Sequence, residues 1–297
     1  MNVSAPRFHD VPVAGGSLLT ARWGAEPGQA PVVLAAHGIT ANHLNWSRIA
    51  EELGGEVTLL APDLRGRGGS AALPGPYGMG AHADDMIAVL DHFGIGRALF
   101  AGHSMGAFVM AIASARRPER TTGVLLIDGG FKLGEVPEGV DIDVILQAVI
   151  GPALERLKTT FPSREAYRDF WRAHPALAGD WSEHLEAYVD YDLTGEEPEL
   201  RSRTSLEAVR EDGRTSLLES EIDTAPGRLP EPALFLRAPL GMLGAEPPLY
   251  PDEAVEAIRA QSPQLQVELV PDVNHYTITM GKPGAAIVAD RIRDLVG

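Results

Sequence analysis

The chain is 297 residues long, enough for one large α/β domain or two small ones, and 44% of its residues are hydrophobic, which supplies an ample core. Its formal net charge of −16 makes nucleic acid and anionic membrane surfaces poor partners, and the absence of cysteine excludes disulfides, thiolate metal sites and a cysteine nucleophile. The N-terminal sequence lacks the basic start and apolar run of a signal peptide, and no apolar run is long enough to span a bilayer. We therefore expect a soluble cytoplasmic protein.

The first third of the chain predicts a sheet that begins with a hairpin and continues in parallel. Strands are predicted at 8–13, 17–23, 31–36 and 57–61, and a helix at 46–53. Gly15 and Gly16 separate the first two strands and are typical of a β-hairpin turn. Two buried strands joined by a helix form a β-α-β unit, so the parallel part of the sheet is expected to begin at the third strand.

The loop at 63–70, DLRGRGGS, is rich in glycine, but it lacks the G-x-x-x-x-G-K-[ST] pattern of a phosphate-binding loop. We interpret it as a flexible turn over the edge of the sheet. A helix is predicted at 79–93, with its apolar residues on one face, and it leads into the next strand.

The segment 98–117 carries the clearest signal for chemistry. A short apolar strand at 98–101 is followed by GHSMG at 102–106 and then by an apolar helix, which is G-x-S-x-G in the strand-turn-helix context that this motif requires. The two outer glycines relieve the crowding of a strand that turns directly into a helix. Ser104 is therefore expected to project from the sheet at the positive end of the following helix, where negative charge is stabilised.

After a strand at 122–127 the alternation of strands and helices stops. The insert at 131–225 shows helical spacing and holds 8 of the 18 aromatic residues, together with 21 acidic and 10 basic residues. The remaining elements resume the sheet, with strands predicted at 233–236 and 266–270 and helices at 252–260 and 284–296.

In these pieces the chain resembles the α/β-hydrolase fold family over essentially its whole length. The resemblance rests on GHSMG, on His37-Gly38 after an early strand, on DLRGRGGS, and on a late histidine after the last strand. It implies an α/β fold with a mostly parallel central sheet flanked by helices and a helical cap inserted after the sixth strand. The implied core domain comprises 1–130 and 226–297, and the implied cap domain comprises 131–225.

Nucleophilic attack by Ser104 needs a base within hydrogen-bond reach, because a serine hydroxyl is almost wholly protonated at neutral pH. Functional groups in open α/β sheets gather at the carboxyl ends of the strands, and His275 follows the last strand. It also comes last in chain order, as the resemblance requires of the base. We predict His275 as the base. His103 is next to Ser104, but neighbours in a tight turn point apart, so it is not expected in this role.

The third member of such a site is a carboxylate that holds the histidine in the right tautomer. In the family the acid usually lies a few residues beyond the strand that follows the cap, a position that falls near Gly241, where APLGMLGAEPP has no aspartate. A minority of the family takes the acid from the end of the preceding strand, where Asp128 lies. We predict Asp128 as the acid, with Glu246 as the alternative, and interpret Asp252 as the start of a helix.

The resemblance further implies an oxyanion hole made by the backbone N–H groups of Ile39 and Met105. Ile39 lies on the loop that begins with His37, which the resemblance implies shapes this loop rather than transferring protons. Backbone donors leave no side-chain signature in a sequence. For His43 a place beside the pocket and a place on the loop surface stay open.

A serine at position 104 excludes the branches of the family that attack through a carboxylate, the epoxide hydrolases and haloalkane dehalogenases. We expect a serine hydrolase of the carboxylesterase or lactonase type that cleaves a small, uncharged, hydrophobic ester or lactone through an acyl-enzyme. The alternatives are a carbon–carbon bond hydrolase of diketones, cofactor-free perhydrolysis, and a ligand-binding protein with a vestigial triad.

The insert and the missing motifs bear on the substrate and on cofactors. The aromatic residues of the insert indicate either an apolar pocket beneath the cap or the cap's own core, and its acidic excess disfavours multiply anionic substrates. Because no metal cluster, dinucleotide fingerprint or haem signature is present, we expect no cofactor and no metal. The expected partner is the small-molecule substrate, and the oligomeric state stays open.

Overall fold

The computed structural model describes residues 5–134 and 140–297 of the chain. The part before residue 128 builds six strands and three α-helices of the core. The strands are β1 (Arg7–Val13), β2 (Gly16–Gly24), β3 (Val32–Ala36), β4 (Thr58–Pro62), β5 (Ala98–His103) and β6 (Thr121–Ile127), and the helices are α1 (Ser47–Leu53), α2 (Met79–His92) and α3 (Met105–Arg116). The first two strands form the expected antiparallel hairpin, and β3 and β4 pair in parallel around α1.

Between residues 140 and 225, which we call the cap segment, the chain is mainly helical. Its elements are α4 (Ile142–Lys158), α5 (Arg164–Arg172), α6 (Glu183–Tyr191), β7 (Leu193–Thr194), β8 (Arg201–Ser202), α7 (Leu206–Leu218) and α8 (Ser220–Thr224). The hydroxyls of Ser163, Ser182 and Ser205 cap α5, α6 and α7 by accepting a backbone N–H from the first turn. Serine side chains therefore fix the N-terminal ends of three helices of the cap segment.

The rest of the chain returns to the sheet. It comprises β9 (Ala233–Arg237), α9 (Asp252–Gln261), β10 (Leu265–Leu269), α10 (Thr277–Met280) and α11 (Lys282–Val296). The strand order is β1-β2-β4-β3-β5-β6-β9-β10, and every pairing from β4 to β10 is parallel. The predicted α/β-hydrolase fold, with its mostly parallel sheet, is thus confirmed. Within the described ranges no helix is long and apolar enough to cross a membrane.

Successive residues of the central strands pack into two different layers. Leu34, Phe100 and Leu126 face a core that they share with α2 and α3. Their strand neighbours face a second core built with α1 and α11. Because side chains alternate across a strand, a sheet buried on both faces needs apolar residues at consecutive positions. This explains the short continuous apolar runs in the sequence.

The loop at 63–70 was expected to be a flexible turn over the edge of the sheet, but all of its residues except Gly69 are buried and its Asp63 is held by several hydrogen bonds. The Asp63 carboxylate accepts hydrogen bonds from the backbone N–H groups of His43 and Gly69, both at 2.7 Å, and from the Tyr191 hydroxyl at 2.6 Å. The His43 ring also lies against Asp63 and is buried, not on the surface. These bonds replace the water that a glycine-rich loop would otherwise need.

We expect Phe100→Ala to destabilise the fold by about 3–5 kcal/mol, because the ring is fully buried in the central strand and its loss leaves a cavity. The matched control is Leu269→Ala on the edge strand β10, whose side chain is 46% exposed and should cost less than about 1 kcal/mol. Urea unfolding of both variants measures the difference. Equal losses would contradict the placement of the core.

Candidate active site

Two neighbouring parallel strands end side by side at the candidate site. His103, the last residue of β5, is paired with Ile127, the last residue of β6. The next residues, Ser104 and Asp128, therefore leave the sheet at the same level. The Ser104 N–H donates to the Ile127 carbonyl at 2.9 Å, and the Asp128 N–H donates to the Leu236 carbonyl of β9 at 2.8 Å. The register of the sheet thus sets both side chains at its carboxyl edge.

Both residues have backbone conformations that are rare outside glycine. Ser104 has φ +56° and Asp128 has φ +44°. The turn at Ser104 is tight enough that a Cβ added to Gly106 would lie 2.2 Å from the Ala36 carbonyl oxygen, and one added to Gly129 would lie 2.2 Å from the Ser104 carbonyl oxygen. Strained residues persist where the surrounding structure over-determines them, and they cluster at functional sites.

His275 connects the two side chains. Its Nε2 lies 3.1 Å from Ser104 Oγ, and its Nδ1 lies 2.7 Å from Asp128 Oδ2. Because a carboxylate only accepts, the Nδ1–H donates to Asp128 and Nε2 is left to accept the proton of the Ser104 hydroxyl. The other carboxylate oxygen of Asp128 accepts the N–H of Ala238 at 3.1 Å. Asp128 and His275 are almost fully buried, whereas Ser104 is partly exposed.

The structure does not bring Glu246 to His275. Glu246 is exposed on the loop that follows β9, while the Nδ1 of His275 is bonded to Asp128. On the same loop a Cβ added to Gly241 would lie 2.6 Å from the Pro247 carbonyl oxygen, so the backbone folds closely over the place where most of the family would carry its acid. Of the two carboxylates predicted as candidates, only Asp128 contacts the histidine.

Two residues that were not predicted to support the site hold the loop that carries His275: His103, considered only as a base and rejected, and Asn274. The Nε2–H of His103 donates to the His275 carbonyl at 2.8 Å, and burial holds the pKa of His103 well below its usual range. The Asn274 side chain accepts the N–H groups of Tyr276 and Thr277 and donates to the Ala176 carbonyl of the cap segment at 2.8 Å. The sequence signal for Asn274 is its place just before α10, where an asparagine commonly caps a turn.

The loop with the candidate oxyanion donors begins with a fixed histidine tautomer. The Leu64 N–H donates to His37 Nε2 at 3.0 Å, so the proton is on Nδ1, which donates to the Gly38 carbonyl at 2.8 Å. Burial lowers the pKa of His37 to about 4 and keeps the ring neutral. In a trans peptide the N–H points opposite the carbonyl, so this bond also orients the Ile39 N–H.

Ile39 and Met105 both line the cavity onto which Ser104 opens. Met105 is the first residue of α3, and the first N–H groups of a helix have no intrahelical acceptor. Gly38 packs against the serine, since a Cβ there would lie 3.6 Å from Ser104 Oγ. The two predicted donor residues are therefore brought to the same cavity as the serine.

The cavity has a volume of about 300 Å³ and lies between the core and the cap segment. Its walls are mainly aliphatic, and Phe108 is the one aromatic residue among the described residues that line it; the cap segment contributes Ile145, Leu146, Ile150 and Leu217. Most aromatic residues of the insert instead pack with one another in a separate cluster, which includes Phe161, Tyr167, Trp171 and Tyr188 and is completed by Met280 of the core. Most of these rings therefore pack in the interior of the cap segment and do not form the walls of the cavity.

Charged groups are absent from the described walls of this cavity. Over residues 5–134 and 140–297, no group of three or more His, Asp or Glu side chains is arranged to hold a metal ion. The chemistry available at the site in the described residues is that of the serine, the histidine, the buried carboxylate and the backbone N–H groups.

Comparison with known proteins identifies the class to which this fold and site belong. Residues 32–290 match the sequence model of the alpha/beta hydrolase family, and the chain therefore belongs to that family. A crystal structure of E-2-(acetamidomethylene)succinate hydrolase has the same fold, with a TM-score of 0.79 at 21% identity over 98% of this chain and 99% of that chain.

Two curated relatives are similar in sequence. Lipase LipV of Mycobacterium tuberculosis is 32% identical over 157 residues, which is 52% of this chain and 58% of LipV. The 2-(acetamidomethylene)succinate hydrolase of Mesorhizobium japonicum is 28% identical over 251 residues, 84% of each chain. The match to LipV thus spans little more than half of that protein.

The neutral, buried His37 predicts an acid-sensitive fold. Its pKa is about 4 in the folded state and near 6.5 in the unfolded chain, so below pH 6.5 only the unfolded state takes up this proton. The part of the unfolding free energy that depends on this pKa difference is complete above about pH 6.5 and is lost as the pH falls towards 4. Between about pH 7.5 and about pH 5 the loss amounts to about 2 kcal/mol. Urea unfolding of the wild type and His37→Gln at the two pH values tests this. The variant should lose less stability on acidification than the wild type, and an equal loss in both would contradict the prediction.

Proposed function

We propose that this protein is a serine esterase or lactonase that cleaves a small, uncharged, hydrophobic ester or lactone through an acyl-enzyme. The observation that carries the proposal is the hydrogen-bonded series from Ser104 through His275 to Asp128 at the floor of an apolar cavity. A serine activated by an adjacent base, with the base oriented by a third group, is the arrangement that nucleophilic acyl transfer requires.

In the proposed reaction Ser104 Oγ attacks the carbonyl carbon of the substrate, and His275 Nε2 takes the hydroxyl proton. The Asp128 carboxylate stabilises the imidazolium that forms and holds its tautomer. The carbonyl oxygen becomes an oxyanion that accepts hydrogen bonds from the N–H groups of Ile39 and Met105. His275 then protonates the alcohol oxygen as its bond to the carbonyl carbon breaks, which leaves the acyl group on Ser104. Water attacks this acyl group while His275 takes its proton, and His275 returns that proton to Ser104 Oγ as the acid departs.

The cavity supports an uncharged substrate. A dicarboxylate, such as the succinate in the name of the Mesorhizobium relative, would need cationic partners, and no charged side chain lines the described walls. A volume of about 300 Å³ lies at the small end of ligand pockets, and its aliphatic walls suit a short or medium acyl group. We therefore propose that esters of short and medium fatty acids are cleaved faster than long-chain esters.

The test is hydrolysis of p-nitrophenyl esters of increasing acyl length by the wild type and three variants. Ser104→Ala should abolish turnover, because it removes the nucleophile. Asp128→Asn should lower kcat by about 10³- to 10⁴-fold, since it leaves His275 without its carboxylate. The matched control is Glu246→Gln, a carboxylate-to-amide change at an exposed position, which should stay within about twofold of the wild type.

Three outcomes would overturn parts of the proposal. If Glu246→Gln rather than Asp128→Asn abolishes turnover, the acid has been assigned wrongly. If the wild type hydrolyses a diketone of the kind formed when a ring is opened, and no ester, the protein is a carbon–carbon bond hydrolase. If it turns over neither substrate and Ser104 does not react with a fluorophosphonate probe, ligand binding replaces catalysis.

A further inference from the structure

Three consecutive carbonyl groups beside the serine are each held by a hydrogen bond. They belong to the turn 38–41, in which the Ala41 N–H donates to the Gly38 carbonyl at 3.1 Å. The first carbonyl also accepts the His37 Nδ1–H, the second accepts from Arg67, and the third accepts from Arg156. A surface turn leaves its carbonyls to water, so a turn with three consecutive carbonyls held by protein donors is unusual.

Arg67 reaches this turn from the loop at 63–70. Its Nε–H donates to the Ile39 carbonyl at 2.9 Å, and its Nη1 donates to the Arg65 carbonyl at 2.7 Å and to Asp212. Asp212 lies on α7 of the cap segment and also accepts the Gly78 N–H at 2.6 Å. Both charged side chains are fully buried. The Ile39 carbonyl is thus fixed by a core arginine that is itself held by the cap.

Arg156 reaches the same turn from α4 of the cap segment. Its Nη2 donates to the Thr40 carbonyl at 3.2 Å. Its Nη1 donates to the Tyr167 hydroxyl at 2.7 Å and to the Asp192 carboxylate. This pair is also buried, since Arg156 is about 1% exposed. The cap therefore contributes one buried arginine, Arg156, and two buried aspartates, Asp192 and Asp212, to the support of a single turn.

We propose that Arg67 and Arg156 are positioning residues for the oxyanion hole, and that the docked cap segment completes the hole by orienting the Ile39 N–H. The inference rests on the acyl-transfer function proposed above. His37 fixes the peptide before Ile39 and Arg67 fixes the peptide after it, so the planes on both sides of the donor are set. Arg156 fixes the peptide that follows.

The free energies of buried ion pairs indicate that Arg67 and Arg156 position the turn 38–41 rather than simply attach the cap to the core. A buried ion pair recovers little net stability, because desolvation of the two charges offsets their attraction. Apolar residues would attach the cap at least as well. What a guanidinium adds is several donors in a rigid fork, which can bind a carboxylate and a carbonyl at the same time and in a fixed relation.

The loop offers a matched control for this proposal. Arg65 lies two residues before Arg67, is also buried, and is bonded to a buried aspartate, Asp85, with its Nη2 at 2.8 Å from Oδ1. Its remaining side-chain bonds go to the carbonyls of Ala14 and Pro74 and not to the turn 38–41. Arg65→Lys therefore measures the cost of disturbing a buried pair on this loop without touching the oxyanion donor.

The experiment compares R67K with R65K on a p-nitrophenyl ester. Lysine keeps the charge that Asp212 needs, but a single ammonium group cannot also reproduce the Nε–H to Ile39. We expect R67K to lower kcat by about 10- to 100-fold, with KM within about twofold. An alkyl trifluoromethyl ketone, whose adduct with Ser104 places an oxyanion in the hole, should bind more weakly by a similar factor. R65K should leave kcat and inhibitor affinity within about threefold of the wild type, whatever it does to the unfolding midpoint.

A second route avoids variants that fail to fold. R67M/D212N replaces the buried pair by two neutral side chains, and the amide oxygen introduced at position 212 can still accept from Nε2 of His82, which lies 3.0 Å from Asp212. R156K tests the bond to Thr40 independently. Both should lower kcat and ketone affinity together. Unchanged kcat and ketone affinity in these variants, or the same losses in R65K, would overturn the inference. A wild type without ester activity would instead overturn the proposed function itself.

Discussion

The parallel pairing of β5 with β6 is the constraint on which the rest of the site depends. Because the two strands end at the same level, the residues that follow them leave the sheet as neighbours, and both have positive φ values. Such strain persists only where packing leaves the chain no alternative. Here the alternatives are removed by backbone atoms, which approach Gly106 and Gly129 so closely that no larger residue fits.

Around this strained edge, groups that are expensive to bury are satisfied by hydrogen bonds from distant segments. His37 and His103 are held neutral by burial, and each ring donates to a backbone carbonyl. Asp63 and Asp128 accept several donors each. The low dielectric that makes an unpaired polar group costly also strengthens these bonds. The machinery beside the serine is therefore held in place before any substrate arrives.

The cap segment has two separable roles in this arrangement. Its aromatic residues pack with each other and keep the segment folded, while its aliphatic residues face the cavity. Two of its charged residues bind the core directly, because Arg156 donates to the Thr40 carbonyl of the turn 38–41 and Asp212 accepts from Arg67 of the loop at 63–70. Under the function and the positioning role proposed above, substrate choice and the geometry of the reaction centre depend on different residues of the same insert.

Local sequence patterns were enough to predict the hairpin, the β-α-β units and the turn that carries Ser104. These features depend on periodicity and on glycine spacing within a few residues. Local pattern did not predict the burial of the loop at 63–70, since a glycine-rich stretch has the same composition whether it is exposed or buried. The sequence favoured Asp128 as the partner of His275 and kept Glu246 as the alternative. Only the tertiary structure decided which one makes contact, because Asp128 and His275 are 147 residues apart. The same holds for the bond from Arg156 to Thr40, across 116 residues. A guanidinium can donate to one particular carbonyl only after the whole chain has folded, so no local sequence pattern predicts that hydrogen bond.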